Sequence, residues 1–203
     1  MRGIEKFTDA EEVTLIGDLP KWCKNITHIP FNDDPETGFR SRNIYNKIMT
    51  VDYDFLFFND DHFLMAPFSP DTYHYSGTLM GELGRPNLSD PYRKTIRNTI
   101  EVFGDIKNFD THCPVAYKKE ILNKIDLDWT RAQGYCIKSV YAHLAGIEGT
   151  EYPDLKIRNT LPDSEIKKLI RGRQYFSTDN YAVNSAMVRV LEEIYPNKSI
   201  YES

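Results

Sequence analysis

The stretch from residue 53 to residue 65, YDFLFFNDDHFLM, constrains the fold of this chain more than any other. The apolar residues 55–58 change abruptly to NDDH at residues 59–62, and an apolar run resumes at once. A short aromatic run without Gly or Pro is typical of a strand that is buried on both faces. In open α/β sheets, ligands bind just beyond the carboxyl ends of such strands. The stretch therefore predicts a buried strand that ends in a functional turn.

Apolar strand patterns alternate with helical patterns along the chain. Further strands are predicted at residues 12–16, 26–30 and 174–177. Helices are predicted near Pro20, from Asn43, after Ser89, and at residues 117–125, 130–145 and 181–195. Residues 68–90, rich in Pro, Gly and Ser, predict a long functional loop. The β-α-β-α-β order at the start predicts a single α/β domain, residues 1–203, with a Rossmann-like, mostly parallel central sheet flanked by helices.

Size and composition exclude several classes of protein. The chain has 203 residues, of which 24 are Tyr or Phe, so it can bury a real core and is not disordered. A net charge of -5 is not typical of a protein held mainly by a nucleic-acid backbone. Its three cysteines cannot all pair and follow no metal-ligand spacing, which favours reduced thiols. No apolar run approaches the roughly 20 residues of a membrane span. We expect a soluble, cytoplasmic protein.

Asp60 and Asp61 are the leading candidates for a metal site. Mg²⁺ or Mn²⁺ binds one or two carboxylates and takes its remaining ligands from water and substrate phosphates. Because side chains alternate along a strand, we expect one of the two to bind directly and the other through water or a sugar hydroxyl. The alternative is a plain surface turn, where Asn and Asp are common. The immediate return to an apolar run favours the metal site.

Two further groups could take part in the chemistry. His112, in the sequence THCP, could complete the metal shell or act as a general base on an acceptor hydroxyl, or it could simply cap a loop. Basic and amide side chains around the start of a helix predict a clamp for a diphosphate, because helix N-termini and arginine forks both suit phosphate. These residues are Arg40, Arg42, Asn43 and Lys47. The alternative for them is a solvated loop.

Several short motifs together resemble a known family. They are LPKW with Asn25, FLFFNDDHFL, THCP, FSTD and LEEIYPNKS with Glu202, in that order. The series resembles the Stealth family of sugar-phosphate transferases and, more loosely, the GT-A glycosyltransferases. The resemblance implies a GT-A-like fold, a nucleotide-diphospho-sugar donor and a divalent metal. It leaves the acceptor open, whether glycan, protein, lipid or modified DNA.

The resemblance also implies roles for individual residues. Asp60 and Asp61 match the metal-carboxylate segment, with Asn59 as its neighbour on the donor side. His112 matches the histidine of the third block, and Asp179 matches an acidic residue that would orient or deprotonate the acceptor. The family opens with a strand that helps hold the nucleotide, whereas residues 1–7 resemble the helix that follows it. A silent binding module with this fold is therefore one alternative. A metal-dependent phosphoesterase that uses Asp60, Asp61 and His112 is another.

Overall fold

The computed structural model describes residues 1–34, 40–131 and 133–203, apart from the side chain of Arg40. In chain order, the helices are α1 (Arg2–Phe7), α2 (Arg40–Met49), α3 (Leu79–Leu83), α4 (Asp90–Phe103), α5 (Lys119–Leu122), α6 (Ile137–Leu144), α7 (Asp163–Ile170) and α8 (Ser185–Ile194). The strands are β1 (Thr14–Ile16), β2 (Thr27–Ile29), β3 (Phe55–Phe57), β4 (His62–Leu64), β5 (His74–Tyr75), β6 (Val115–Tyr117), β7 (Thr150–Glu151), β8 (Lys156–Ile157) and β9 (Tyr175–Thr178).

The described strands form small sheets of mixed direction. β1 pairs with β2 and β5 with β7, both parallel, while β3 pairs with β6 antiparallel. A three-stranded sheet has the order β4-β9-β8, with β4 antiparallel and β8 parallel to β9. The mixed α/β class is thus confirmed, but a mostly parallel central sheet is not shown. Alternating apolar runs indicate which segments are strands, but they do not determine which distant strand each one pairs with or in which direction.

Local sequence signals explain where the longer helices begin. α4 follows Ser89, has Pro91 in its first turn, where no backbone donor is needed, and buries Thr95 and Ile96. α8 is capped by Asn184, whose side-chain oxygen accepts hydrogen bonds from the N–H groups of the helix's second and third residues. Both helices were predicted from their apolar spacing, and α8 starts four residues later than expected.

Other local predictions are corrected. The helix expected near Pro20 is a turn, closed by a hydrogen bond from the N–H of Cys23 to the carbonyl of Pro20. The predicted long loop at residues 68–90 contains β5 and α3. The helices expected at residues 117–125 and 130–145 shrink to α5 and α6. The β3 strand is half-buried along its length rather than buried on both faces, since it lies at the edge of a two-stranded sheet.

The core consists of distinct clusters. One joins α2, β6 and α6 through residues such as Ile48, Tyr117 and Val140. A second joins α7, β9 and α8 around Phe176 and Met187. A smaller third cluster links β4, β9 and the THCP segment, and its buried members are Leu64, Phe68, Cys113 and Tyr175. This third cluster lies directly behind the segment that carries His112.

Residues near the two ends of the sequence hold β4 in place. The guanidinium of Arg2 donates to both carboxylate oxygens of Glu202 at 2.8 Å, and to the carbonyl of Tyr195 at 3.0 Å. The hydroxyl of Tyr195 in turn donates to the carbonyl of Leu64 in β4. We call this arrangement the Arg2–Glu202 clasp. It supports the strand that follows the NDDH turn.

Within the described part of the chain, no helix has the length and apolar character needed to cross a membrane.

Candidate functional site

The NDDH sequence forms a tight turn between β3 and β4. The backbone N–H of His62 donates to the carbonyl of Asn59 at 3.2 Å and closes the turn. Asp60 is exposed, whereas the Asp61 side chain is only 24% exposed. The two carboxylates therefore lie in different environments, because the turn directs one toward solvent and the other toward the protein.

Asp61 is bound through one oxygen and unpaired at the other. Its Oδ2 accepts a hydrogen bond from the Nζ of Lys156 at 2.8 Å. Its Oδ1 is buried and has no hydrogen-bond partner among the described residues. Leaving a buried acceptor unpaired costs on the order of 1–3 kcal/mol. A ligand that offers a proton or a positive charge to Oδ1 would recover this free energy.

His62 lies beneath the same turn, with a fully buried side chain. Its Nδ1 accepts a hydrogen bond from the backbone N–H of Asn59 at 3.3 Å, so the neutral ring carries its proton on Nε2. Nε2 lies 3.8 Å from Oδ1 of Asp61, too far for a hydrogen bond, and is itself unpaired among the described residues. Burial, helped by nearby positive groups, lowers the pKa of His62 well below its usual value. His62 is therefore a neutral donor rather than a metal ligand.

His112 is paired with Asp154, a carboxylate that was not predicted. Its Nδ1 lies 2.7 Å from Oδ2 of Asp154, and its backbone N–H donates to Oδ1 of the same side chain at 3.0 Å. Burial raises the pKa of Asp154, but the hydrogen bonds and charge of His112 outweigh burial and hold it below its usual value. A histidine whose Nδ1 faces a carboxylate is suited either to general-base chemistry or to ligation through Nε2.

The backbone on each side of His112 is held by a buried ammonium group. Lys138, in α6, is 6% exposed, and its Nζ donates to the carbonyls of Thr111 at 2.8 Å and Cys113 at 2.7 Å. Burial lowers the pKa of Lys138, while nearby carboxylates, including those of Asp154 and Asp61, oppose the decrease. A positive charge is thus fixed beneath the THCP segment.

The three-stranded sheet brings Asp61, Lys156 and Asp179 to the same end. The N–H of Thr178 donates to the carbonyl of Asp61 at 3.2 Å, and Lys156 lies opposite Ser177 on the other side of β9. Asp179 directly follows β9. Its Oδ1 accepts two backbone N–H groups of the following turn, at 3.0 and 3.1 Å, so this oxygen already stabilises the chain.

These contacts define a group that we call the charged cluster: Asp61, Lys156, His112, Asp154 and Lys138. Its two side-chain pairs, Asp61–Lys156 and His112–Asp154, are joined through the start of β8, because Asp154 precedes Lys156 by only two residues. Lys138 is close enough to both Asp61 and Asp154 for their charges to act on it. The structure thus brings the predicted Asp61 and His112 into one region, together with two lysines and one carboxylate that were not predicted.

The cluster members that were not predicted have only weak signals in the sequence; they are Lys138, Asp154 and Lys156. Residues 154–157 alternate between charged and apolar side chains, which is typical of a strand with one polar face. Lys138 lies in a helix and resembles an ordinary surface lysine. Nothing in the local pattern indicates that α6 is buried on that side as well.

The predicted phosphate clamp has other partners. The side-chain amide of Asn43 bonds both backbone groups of Asp34, at 3.3 and 3.4 Å, and the Nζ of Lys47 pairs with Asp33 at 2.7 Å. Arg42 lies near Asp128, where it adds to the lowering of that group's pKa, which is due mainly to a hydrogen bond from Thr130. The side chain of Arg40 lies outside the described part. The structure gives these residues roles in holding loops, and phosphate binding by α2 stays a prediction.

The described cavities lie elsewhere. A groove of about 670 Å³ runs between the end of α7 and α8, and a smaller one of about 280 Å³ lies beside Lys107 and His143. Neither is lined by a member of the charged cluster. The charged cluster is partly exposed, since the side chains of Asp61, Lys156, His112 and Asp154 are 15–24% exposed and only Lys138 is buried.

A preformed three-ligand metal shell is not found among residues 1–34, 40–131 and 133–203. No three His, Cys, Asp or Glu side chains there gather closely enough to hold an ion, and this includes the predicted set of Asp60, Asp61 and His112. Among these residues, Asp60 offers an exposed carboxylate, and Asp61 offers a buried Oδ1 that has no hydrogen-bond partner there. That set fits a cation such as Mg²⁺, which needs only one or two carboxylates when substrate phosphates supply the other ligands.

Comparisons with known proteins do not assign the chain. No protein-family model matches it, and no curated protein matches it either. The resemblance to the Stealth and GT-A enzymes therefore rests on the short motifs and stays a prediction.

Proposed function

We propose that the protein is a metal-dependent transferase, with a GT-A-like site, that moves a sugar or sugar phosphate from a nucleotide-diphospho-sugar to an acceptor hydroxyl. The charged cluster would be its centre. The observation that carries the proposal is Oδ1 of Asp61, which is buried and has no hydrogen-bond partner within the described ranges. Asp61 also binds Lys156 and lies in the same region as the His112–Asp154 pair. A buried acceptor without a hydrogen bond lowers the stability of the ligand-free fold. A ligand that bonds to this oxygen would remove that cost.

The lysines support an anionic donor. Lys156 presents an ammonium group at the NDDH turn, and Lys138 places a second positive charge below it. Ammonium groups at a partly buried site bind phosphate strongly, because the local dielectric is lower than that of water. In this proposal, Lys156 exchanges part of its interaction with Asp61 for a phosphate oxygen when the donor binds.

Asp61 and Asp60 would hold Mg²⁺ or Mn²⁺, the cofactor proposed here. When bound, the cation would stabilise the negative charge that develops on the departing diphosphate or nucleotide. The rest of the chemistry belongs to the protein. His112 accepts the proton of the acceptor hydroxyl at Nε2, and Asp179, at the same end of the sheet, orients that hydroxyl.

Thermal unfolding with a panel of nucleotide sugars tests the proposal. UDP-, GDP- and CDP-sugars are added one by one, with and without Mn²⁺. A donor present at 100 times its Kd stabilises the folded state by about 2.7 kcal/mol. For a chain of this size, that is a rise in Tm of roughly 5–10 °C. We expect one nucleotide class to give such a rise, and only with the metal present.

Asp61→Asn is the decisive variant, because the amide keeps the size of the side chain but removes its charge. We expect it to lose the metal-dependent rise in Tm and the turnover of donor while remaining folded. Asp52→Asn is the matched control, since that carboxylate is 93% exposed and its ion-pair partner, at 3.5 Å, is Lys119 rather than a member of the charged cluster. The proposal fails if Asp61→Asn responds to donor and metal as the parent does, or if no donor shifts the Tm of the parent. Hydrolysis of the donor at a rate that added acceptors do not change would instead indicate a phosphoesterase.

A further inference from the structure

We propose that Asp154 is a positioning residue that keeps the ring of His112 in the tautomer with its proton on Nδ1, so that Nε2 is the open basic nitrogen. The assignment of Nε2 as the base rests on the proposed function. The assignment of the tautomer does not, because it follows from contacts within the chain.

One carboxylate binds both the backbone and the ring of His112. Oδ1 of Asp154 accepts the backbone N–H at 3.0 Å, and Oδ2 lies 2.7 Å from Nδ1. An ionised carboxylate can only accept hydrogen bonds, so the short contact requires a proton on Nδ1. Asp154 thus holds both the backbone and the ring of His112. If the ring turned to present Nε2 to Asp154, one of these two contacts would be lost.

Lys138 holds the backbone around the same residue. Its ammonium group bridges the carbonyls of Thr111 and Cys113, the two neighbours of His112, at 2.8 and 2.7 Å. Burying an ammonium group is costly, and an apolar side chain could fill this position in α6 without that cost. The chain thus holds His112 by its backbone on both sides and by its ring, although the side chain itself remains 24% exposed. This is the arrangement expected of a group that must meet a ligand in one orientation.

The tautomer of His112 can be tested directly by NMR. The protein is labelled with ¹⁵N-histidine, and two-bond ¹⁵N–¹H correlation spectra are recorded at about pH 8.5, where an ordinary histidine is neutral. Comparison with His112→Gln identifies the His112 signals among those of the five histidines. We expect the parent to show the pattern of an Nδ1-protonated ring.

Asp154→Asn should change that pattern. The amide can donate to Nδ1 from its NH₂ group, so the ring proton moves to Nε2 and the basic nitrogen is turned away from the ligand. Asp154→Ala is a second variant, expected to give a mixture of the two tautomers. Asp163→Asn is the matched control, because that carboxylate is bound by Arg189 on a different surface, and it should leave the His112 pattern unchanged.

The outcomes separate this inference from the proposed function. A proton on Nε2 in the parent overturns it, as does an Nδ1-protonated ring that persists in both Asp154 variants. Neither measurement needs a substrate, so a failure to find any donor leaves the result intact. Once a donor is known, Asp154→Asn should lower kcat by about 10²–10⁴-fold with little change in KM. An unchanged kcat would refute the positioning role even if the tautomer moves.

Discussion

The Arg2–Glu202 clasp offers a prediction whose magnitude can be worked out from the structure. The perturbation is Glu202→Gln, which preserves the shape of the side chain and removes its charge. Arg2 binds both carboxylate oxygens, and the two side chains are 31% and 15% exposed. The hydrogen bond from Arg2, together with smaller contributions from Ser199, lowers the pKa of Glu202 from 4.5 to about 2.

The lowered pKa fixes both the size and the sign of the effect. Each unit of pKa shift is about 1.4 kcal/mol of stability, which sets an upper limit of about 3.5 kcal/mol. Solvent screens a partly exposed pair, so we expect a loss of about 1–2 kcal/mol at pH 7. Because the folded pKa is below the unfolded one, the stabilisation is complete above about pH 4.5 and is lost as the pH falls toward 2.

Urea unfolding of the parent and the variant at pH 7, 5, 3 and 2 measures the difference in free energy of unfolding. We expect the two proteins to differ at pH 7 and 5 and to converge at pH 2. Glu148→Gln is the matched control, because Glu148 pairs with Lys107 at 2.7 Å but is 91% exposed, and it should change stability very little. A difference that stays constant from pH 7 to pH 2, or that is absent at pH 7, would show that the charge of Glu202 does not act as the structure indicates.

Two further predictions concern the core and a helix cap. Phe176 is fully buried in the cluster between α7 and α8 and stacks on Phe63. Phe176→Ala should therefore lower the free energy of unfolding, measured by urea titration, by about 3–5 kcal/mol. A loss below about 1.5 kcal/mol would contradict this packing. Asn184→Ala removes the two cap hydrogen bonds of α8, at 2.7 and 3.0 Å, and should cost about 1 kcal/mol by the same measurement. Asn184→Ser restores a capping oxygen and should recover most of that loss, and equal losses in the two variants would argue against the cap.

The candidate site shows how far local patterns reach. The NDDH turn was predicted because an abrupt change from aromatic to acidic residues is visible within a few positions. Side-chain alternation indicated that Asp60 and Asp61 would face different ways, but which of them is buried depends on how the turn leaves β3 and enters a different sheet at β4. His112 was predicted as a functional histidine, but its partner is 42 residues further along the chain.

Side-chain periodicity and capping residues act over one or two turns of chain, so the mixed α/β class, the approximate positions of α2, α4 and α8, and the acidic turn after an aromatic strand follow from local sequence. The direction of the strands and the partners of the site residues follow from long-range packing. Lys156 reaches Asp61 across 95 residues, and Lys138 is buried beneath His112 by packing that no local pattern encodes. Such contacts depend on which distant segments pair, and that choice is made by the burial of the whole chain rather than by any one stretch of it.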